Sequence, residues 1–342
     1  MTVRWGLLST ARVNRYIVEA AKKSDRAEVV AVGSRTSSRA EAFARGHGIA
    51  HAHASYEALL EDGAVEGVYI SLPNSLHVEW TLRALEAGKH VLCEKPLSRN
   101  PDALEQVFNR AQERGLIVSE GFMWRHHPQT AKLMELAAED VIGPLRLVRA
   151  AFSFDVAAVH GGQDARLDPE LDGGALMDVG SYCVSAIRLL SGEPERVQAL
   201  QTIGPSGVDV CFAATLALPD EVIAHFDVGF VLPRRAALEV VGEEGTVFVA
   251  DPWQPQTPVI ELGRPTRDDA VERERIPVDR ADSYLLELEN VSGAIRGETE
   301  LLLGRADAIG QARALDALQR SASTGTAVEL GRAGPAETRS VR

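Results

Sequence analysis

The first third of the chain alternates short apolar runs with helical patterns, and this alternation restricts the fold more than any single motif. Val3–Leu8 reads as a strand, Ala11–Lys22 as a helix, Glu28–Gly33 as a strand and Ser38–Arg45 as a helix. Further strands are expected at Ile49–His51, Gly67–Ser71, His90–Cys93 and Leu116–Ser119. Helical patterns at Tyr56–Glu61, Leu76–Ala87 and Pro101–Arg114 separate them. A strand that returns through a helix pairs parallel with the one before it. Right-handed crossovers then cover both faces of the sheet. Residues 1–122 are therefore expected to form an α/β, Rossmann-like, doubly wound parallel sheet.

From about Gly143 the pattern changes. Leu145–Phe154, Val197–Thr202, Val208–Leu218, Val222–Gly229, Ala236–Val241 and Thr246–Ala250 look like strands joined by Pro, Gly and Asp turns. Many alternate apolar and polar residues, the mark of a mostly antiparallel sheet with one packed face. Helices are expected at Gly174–Leu190, Ser283–Arg296 and Arg305–Ala322. Residues 123–331 are read as an α+β substrate-binding and oligomerisation domain with a large open-faced sheet, with late helices expected to pack back on the first domain. Residues 332–342 are read as a polar, frayed tail.

Composition narrows the partners. The chain of 342 residues carries a formal net charge of −13 and no block of consecutive basic residues, which disfavours nucleic acid and anionic membrane. Cys93, Cys183 and Cys211 fit neither a disulfide framework nor a zinc pattern. No signal-peptide pattern and no membrane-length apolar run is present. A cytoplasmic location is expected. His126-His127 has no accompanying acid or cysteine pattern, so no metal is expected.

Four segments carry chemistry. Gly6-Leu7-Leu8-Ser9-Thr10-Ala11 follows the first strand and is a degraded dinucleotide fingerprint, with Ser9 or Thr10 in place of the central glycine. Small hydroxyl residues there can offer amide N–H and O–H groups to a phosphate, and Ala11 permits close helix packing. An ordinary strand–helix turn explains the same residues. Ser34-Arg35 ends the second strand. A guanidinium there, where an acid would bind the ribose hydroxyls, favours the 2′-phosphate of NADP over NAD, with NAD possible. The alternative is a solvated arginine. Leu72-Pro73-Asn74-Ser75-Leu76-His77 leads from strand to helix, either as a cap with a satisfied histidine or against the nicotinamide. Val91-Leu92-Cys93-Glu94-Lys95-Pro96 ends a buried strand in a cation held by proline, where open α/β sheets bind ligands. A surface Glu94–Lys95 pair is the bland alternative.

In the second half, Gly173-Gly174 opens a helical pattern in which Asp178 and Tyr182, four apart, share a face. Spacing alone fits a surface pair better than a polyol site. Phe152, Phe154, Asp155, His160, Arg166 and Asp168 precede this helix and are candidate pocket residues, with Phe152 and Phe154 read as core or interface.

Together these motifs, with Glu120-Gly121-Phe122-Met123-Trp124-Arg125-His126-His127-Pro128-Gln129, resemble the Gfo/Idh/MocA oxidoreductase family over nearly the whole chain. Trp5, the Met-Trp-Arg segment and Tyr182, where many members carry histidine, are similar to the branch of dihydrodiol dehydrogenases and NADP-dependent D-xylose dehydrogenases. The resemblance implies catalysis by Lys95, Asp178 and Tyr182, and a cis Lys95-Pro96 bond. It implies cofactor contacts from Gly6, Ser9, Thr10, Ala11, Arg12, Ser34, Arg35, Leu72, Pro73, Asn74, His77, Glu94, Lys95, Pro96, Trp124 and Arg125. The expected activity is hydride transfer between nicotinamide and a secondary alcohol or carbonyl of a sugar, sugar derivative or cyclic diol. Tyr182 would move the proton, Lys95 would favour its phenolate, and Asp178 would orient the substrate. A redox-assisted glycoside hydrolase using NAD and a non-enzymatic NAD(P)-binding sensor are the competing classes. A homodimer or homotetramer through the C-terminal sheet is expected.

Overall fold

The computed structural model describes every residue except 139, 140, 162, 163, 267, 269 and 332–342, so the expected polar tail lies outside the described residues. The chain forms two compact units, Met1–His126 with Asp282–Ile309, and His127–Ala281 with the chain from Gly310 on.

In the first unit, β1 (Val3–Leu8), β2 (Ala27–Gly33), β3 (His51–His53), β4 (Gly67–Ile70), β5 (His90–Glu94) and β6 (Val118–Gly121) form one sheet in the order β3-β2-β1-β4-β5-β6. Every neighbouring pair is parallel. The order reverses between β1 and β4, the switch point beyond which such sheets bind ligands. The connecting helices are α1 (Asn14–Ala21), α2 (Ser37–His47), α3 (Tyr56–Leu60), α4 (His77–Glu86) and α5 (Pro101–Arg114). Local chemistry sets their ends. Asn100 Oδ1 accepts from Ala103 N at 3.2 Å, Pro101 takes the first turn, and Gly115 stops α5 at φ 64°. Helix α1 begins three residues later than its apolar pattern predicts. Ala11, Arg12 and Val13 accept from the amides of Asn14, Arg15 and Tyr16 in tight turns, and no side chain caps the helix.

The second unit contains α6 (Pro128–Ala138), β7 (Leu145–Ser153), α7 (Val156–His160) and α8 (Ser181–Ser191), followed by β8 (Arg196–Ile203), β9 (Asp209–Ala217), β10 (Ile223–Gly229), β11 (Arg235–Gly242), β12 (Thr246–Val249), β13 (Val259–Pro265) and β14 (Val271–Pro277). Its sheet is mostly antiparallel, with β7 and β10 parallel at its centre. Buried and exposed residues alternate along β8, β9 and β10. Val197, Phe212, Leu216 and Phe226 fill the packed face, while Leu200 and Ile223 stand on the open one. Strands β13 and β14 have no counterpart in the sequence expectations. Val271-Glu272-Arg273-Glu274-Arg275 lacks apolar alternation because the strand is an exposed edge, tied by pairs such as Arg264–Glu274 at 3.4 Å.

The chain then enters the first unit as α9 (Ser283–Ile295), runs through α10 (Arg305–Thr324), and ends in β15 (Val328–Glu329) against β8. Compactness therefore does not follow a single cut at residue 122. Leu288 and Val291 of α9 join Trp5, Leu7, Ile17 and Leu92 in one core, Tyr284 stacks on Tyr16 at 5.0 Å, and Trp5 Nε1 donates to Ser292 Oγ at 3.1 Å. These contacts assign the helix to the first unit although it follows the second in sequence.

Candidate active site

The residues expected to face a cofactor gather at the carboxyl edge of the parallel sheet. Gly6 has no Cβ because α3 crosses it closely. A Cβ there would lie 2.8 Å from Leu59 Cδ2 and 3.1 Å from Val65 Cγ1. The turn after β1 passes through Ser9 at φ 127°, a conformation rare outside glycine. Four contacts over-determine it. Ser9 N donates to Gly33 O at 3.1 Å, Ser9 Oγ lies 2.8 Å from Ser71 Oγ, Ala11 N donates to Ser9 Oγ at 3.1 Å, and Asn14 Nδ2 donates to Ser9 O at 2.7 Å. The Ser9 hydroxyl is thus turned into the protein, and its role is to shape the turn that presents Thr10 and Arg12. Thr10 and Ala11 are half-buried and Arg12 is exposed.

At the end of β2, Ser34 is buried and its amide donates to His53 O at 3.1 Å. Arg35 is exposed, and among the described residues it has no ion pair. Arg39, one turn along on α2, is also exposed. Burial raises the Tyr56 pKa, while the charges of Arg35 and Arg39 pull it down. The sequence reading did not single out Arg39; its spacing four residues after Arg35 was the available signal. The donor set here is two guanidiniums and a serine with no carboxylate among the first residues after β2, which fits a phosphate on the ribose.

His77 is fully buried, with Nδ1 2.8 Å from Pro96 O and Nε2 2.8 Å from Leu72 O. The ring stitches the loop after β4 to the loop after β5, so it positions Leu72, Pro73 and Asn74 relative to Lys95-Pro96. The Lys95-Pro96 bond is cis. Glu94 accepts a short hydrogen bond from Tyr69 Oη, and Leu97 N donates to Glu120 Oε1 at 2.7 Å. Lys95 is therefore carried on a loop fastened on both sides. Trp124 is buried, and Arg125 lies over its ring at 5.9 Å and bonds Asp307 Oδ1 at 3.3 Å. That ion pair engages one Arg125 nitrogen within the first unit.

In the second unit, a paired glycine builds the segment that carries the acid and the phenol. Gly174 N donates to Arg166 O at 2.9 Å and Gly173 N to Asp168 O at 3.0 Å. A Cβ on Gly173 would stand 2.5 Å from Arg166 O, and one on Gly174 would stand 2.0 Å from Asp209 Oδ1. Asp209 Oδ2 in turn accepts from Leu176 N at 2.7 Å. Asp172 takes the left-handed conformation at φ 56°, which its short polar side chain tolerates without glycine.

The expected helix is continuous, with a wide π-helical stretch before α8. Leu176–Gly180 winds as a π-helix and α8 begins at Ser181. Such wide turns recur at functional sites. Arg166 Nε donates to Asp178 Oδ2 at 2.7 Å, and Arg166 also pairs with Asp164 at 3.1 Å. The Asp178 charge, then that of Asp164, holds the Arg166 guanidinium firmly protonated against its burial. Asp178 is therefore an oriented carboxylate. Tyr182 is 7% exposed, with Phe152 edge-on at 5.4 Å and Trp253 at 5.7 Å. The aromatic floor confines the ring. Phe154 is half-buried and packs on Phe152, Phe230 and His160. Trp253 lies about seventy residues beyond Tyr182 and has no local pattern to reveal it.

A six-stranded parallel sheet whose strand order reverses between β1 and β4 defines a dinucleotide-binding fold. Residues 3–122 match the oxidoreductase family model with an NAD-binding Rossmann fold, and residues 130–248 match the GFO/IDH/MocA C-terminal domain. The chain belongs to the GFO/IDH/MocA oxidoreductase family. It is 38% identical over 333 residues to D-xylose 1-dehydrogenase (NADP(+)) 2 of Haloferax volcanii, covering 95% of this chain and 99% of that one. It is 33% identical to trans-1,2-dihydrobenzene-1,2-diol dehydrogenase of Sus scrofa, covering 76% of this chain and 78% of that one. A 3-ketoreductase from Actinomadura kijaniata, solved with NADP and TDP-benzene, superposes with a TM-score of 0.87 at 31% identity, covering 94% and 98% of the two chains. No helix among the described residues is long and apolar enough to cross a membrane.

Proposed function

We propose that this protein is an NADP-preferring dehydrogenase or reductase that interconverts a secondary alcohol and a carbonyl on a sugar, sugar derivative or cyclic diol. The observation that carries the cofactor choice is the end of β2, where Arg35 and Arg39 are exposed beside a buried Ser34. The substrate class is supported by the names of the relatives, which act on D-xylose and on a cyclic diol.

The cofactor, when bound, supplies or accepts a hydride at its nicotinamide ring. The protein supplies the rest. Tyr182 takes the proton from the substrate hydroxyl in oxidation and returns it in reduction. An unassisted phenol has a pKa of about 10, too high for an efficient base near neutrality. Lys95 is assigned to favour the phenolate and to stabilise negative charge on the substrate oxygen. Asp178, fixed by Arg166, accepts a hydrogen bond from a neighbouring hydroxyl. Solved variants of the Actinomadura reductase carry a replaced lysine or a replaced tyrosine, the two residue types assigned here to catalysis.

The test is absorbance at 340 nm with NADP and then NAD, across aldoses, inositols, anhydrosugars and cyclic diols. NADPH formation with at least one sugar or diol is expected. Silence across the panel and across the matching carbonyls with NADPH would contradict the proposal.

Self-association through the second sheet is part of the same reading. Leu200 is 72% exposed and Ile203 and Ile223 are also exposed on that sheet. Sedimentation equilibrium should give a dimer or tetramer that Leu200→Arg weakens; a monomer at micromolar concentration would contradict it. The three cysteines are free thiols, in keeping with a reducing compartment.

A further inference from the structure

His51 and His53 are two residues apart on β3, so their side chains emerge on one side of the strand. Asp62 lies after α3, and the fold brings it to both rings. His51 Nδ1 is 2.6 Å and His53 Nε2 is 3.0 Å from the same oxygen, Asp62 Oδ2. The ligand atoms of the three residues all lie within 4.8 Å of one another. Sequence spacing alone gave no metal pattern, because the third ligand arrives through the turn after α3.

We propose that His51, His53 and Asp62 form a divalent transition-metal site of the zinc class, separate from the hydride-transfer site. Two imidazoles and one carboxylate are a borderline N/O donor set suited to zinc. Zinc bonds of about 2.0–2.1 Å in a tetrahedron set ligand atoms about 3.3 Å apart. The His–Asp separations need to open by only a fraction of an ångström to reach that spacing. The carboxylate is already aimed. Its other oxygen accepts from Ala64 N at 2.8 Å, and Lys89 Nζ fixes the same turn by donating to Asp62 O at 2.9 Å and Val65 O at 2.7 Å. His51 has 46% of its side chain exposed, which leaves an approach for the ion and for a water as fourth ligand. The bound ion would replace the ring hydrogens that now point at Asp62 Oδ2. It would clamp the edge strand β3 to the turn that follows α3. His53 O also accepts from Ser34 N, so the clamp bears on the strand end expected to hold the adenosine side of the cofactor.

The test uses the untagged full chain, stripped with a chelator, desalted and titrated with zinc chloride by calorimetry. One equivalent per chain is expected, with a zinc-dependent rise in the thermal midpoint. His51→Gln and His53→Gln should each weaken zinc binding by about tenfold or more, because each removes one of three protein ligands. His225→Gln, an exposed histidine of β10, should leave it unchanged. The exposed position of His51 makes His51→Gln compatible with folding, and an unaltered metal-free midpoint would verify that. Absence of stoichiometric binding, or binding that survives both substitutions, would overturn the proposal and leave Asp62 as a hydrogen-bond acceptor for two rings.

Discussion

At the residue scale, candidate residues in each unit are held by other side chains. His77 fixes two loops, Tyr69 fixes Glu94, and Arg166 fixes Asp178. The assignment of Lys95, Asp178 and Tyr182 rests on the family resemblance, since spacing alone fits a surface pair at Asp178 and Tyr182 better than a catalytic one. Arg166 was among the candidate pocket residues, whereas Trp253 and Asp209 gave no signal because they reach Tyr182 and Leu176 N across long separations. Ser9 illustrates the limit of motif reading. Its hydroxyl looked available for phosphate, yet it bonds Ser71 and Ala11 N, because a strained turn needs internal partners. Arg35 gives a direct prediction. Arg35→Ala should lower the preference for NADP over NAD, read as the ratio of kcat/KM values, by about 10- to 100-fold, the loss expected for a charge-assisted contact. An unchanged ratio would remove Arg35 from 2′-phosphate recognition.

At the element scale, β1, α5 and β5 were legible because caps, glycines and apolar runs agree locally. The π-helical start of α8 and the charged edge strand β14 were not, because their form depends on distant partners and on position at the sheet's rim. Helix α9 carries a further consequence. Glu287 is 1% exposed, and neither carboxylate oxygen has a hydrogen-bond partner among the described residues. Burial first, and then the Glu94 charge, push its pKa well above the usual carboxylate range. Above the ordinary carboxylate value the unfolded chain releases this proton while the folded chain keeps it, so the group costs stability as pH rises. Glu287→Gln should stabilise the protein more at pH 8 than at pH 5 in urea unfolding. Equal effects at both values would show that the buried acid does not stay protonated.

At the whole-molecule scale, the alternation in the first third and the change of pattern near residue 143 were enough to foresee a parallel sheet and a mostly antiparallel one. The expectation that late helices pack back on the first domain is met by Asp282–Ile309, whose bounds had no local signal because ordinary core contacts make the return. His126 contributes to the acid limb of the stability curve. Its burial, and then the neighbouring Arg125 charge, depress its pKa from 6.5 to about 3. Between those values the unfolded chain binds a proton that the folded chain refuses, so stability is full above about pH 6.5 and falls as pH drops toward 3. His126→Leu should make thermal unfolding less sensitive to pH in that window, provided the variant folds at pH 7. An unchanged slope would assign the acid limb to other groups.

The central claim is that Tyr182 moves the proton while the first unit holds the cofactor. The most direct measurement is kcat for Tyr182→Phe, alongside NADPH affinity by fluorescence titration. The account predicts a fall in kcat of about 10²–10⁴-fold, the usual contribution of general acid–base catalysis, with NADPH affinity unchanged. Turnover close to that of the parent protein, with NADPH still bound, would contradict it.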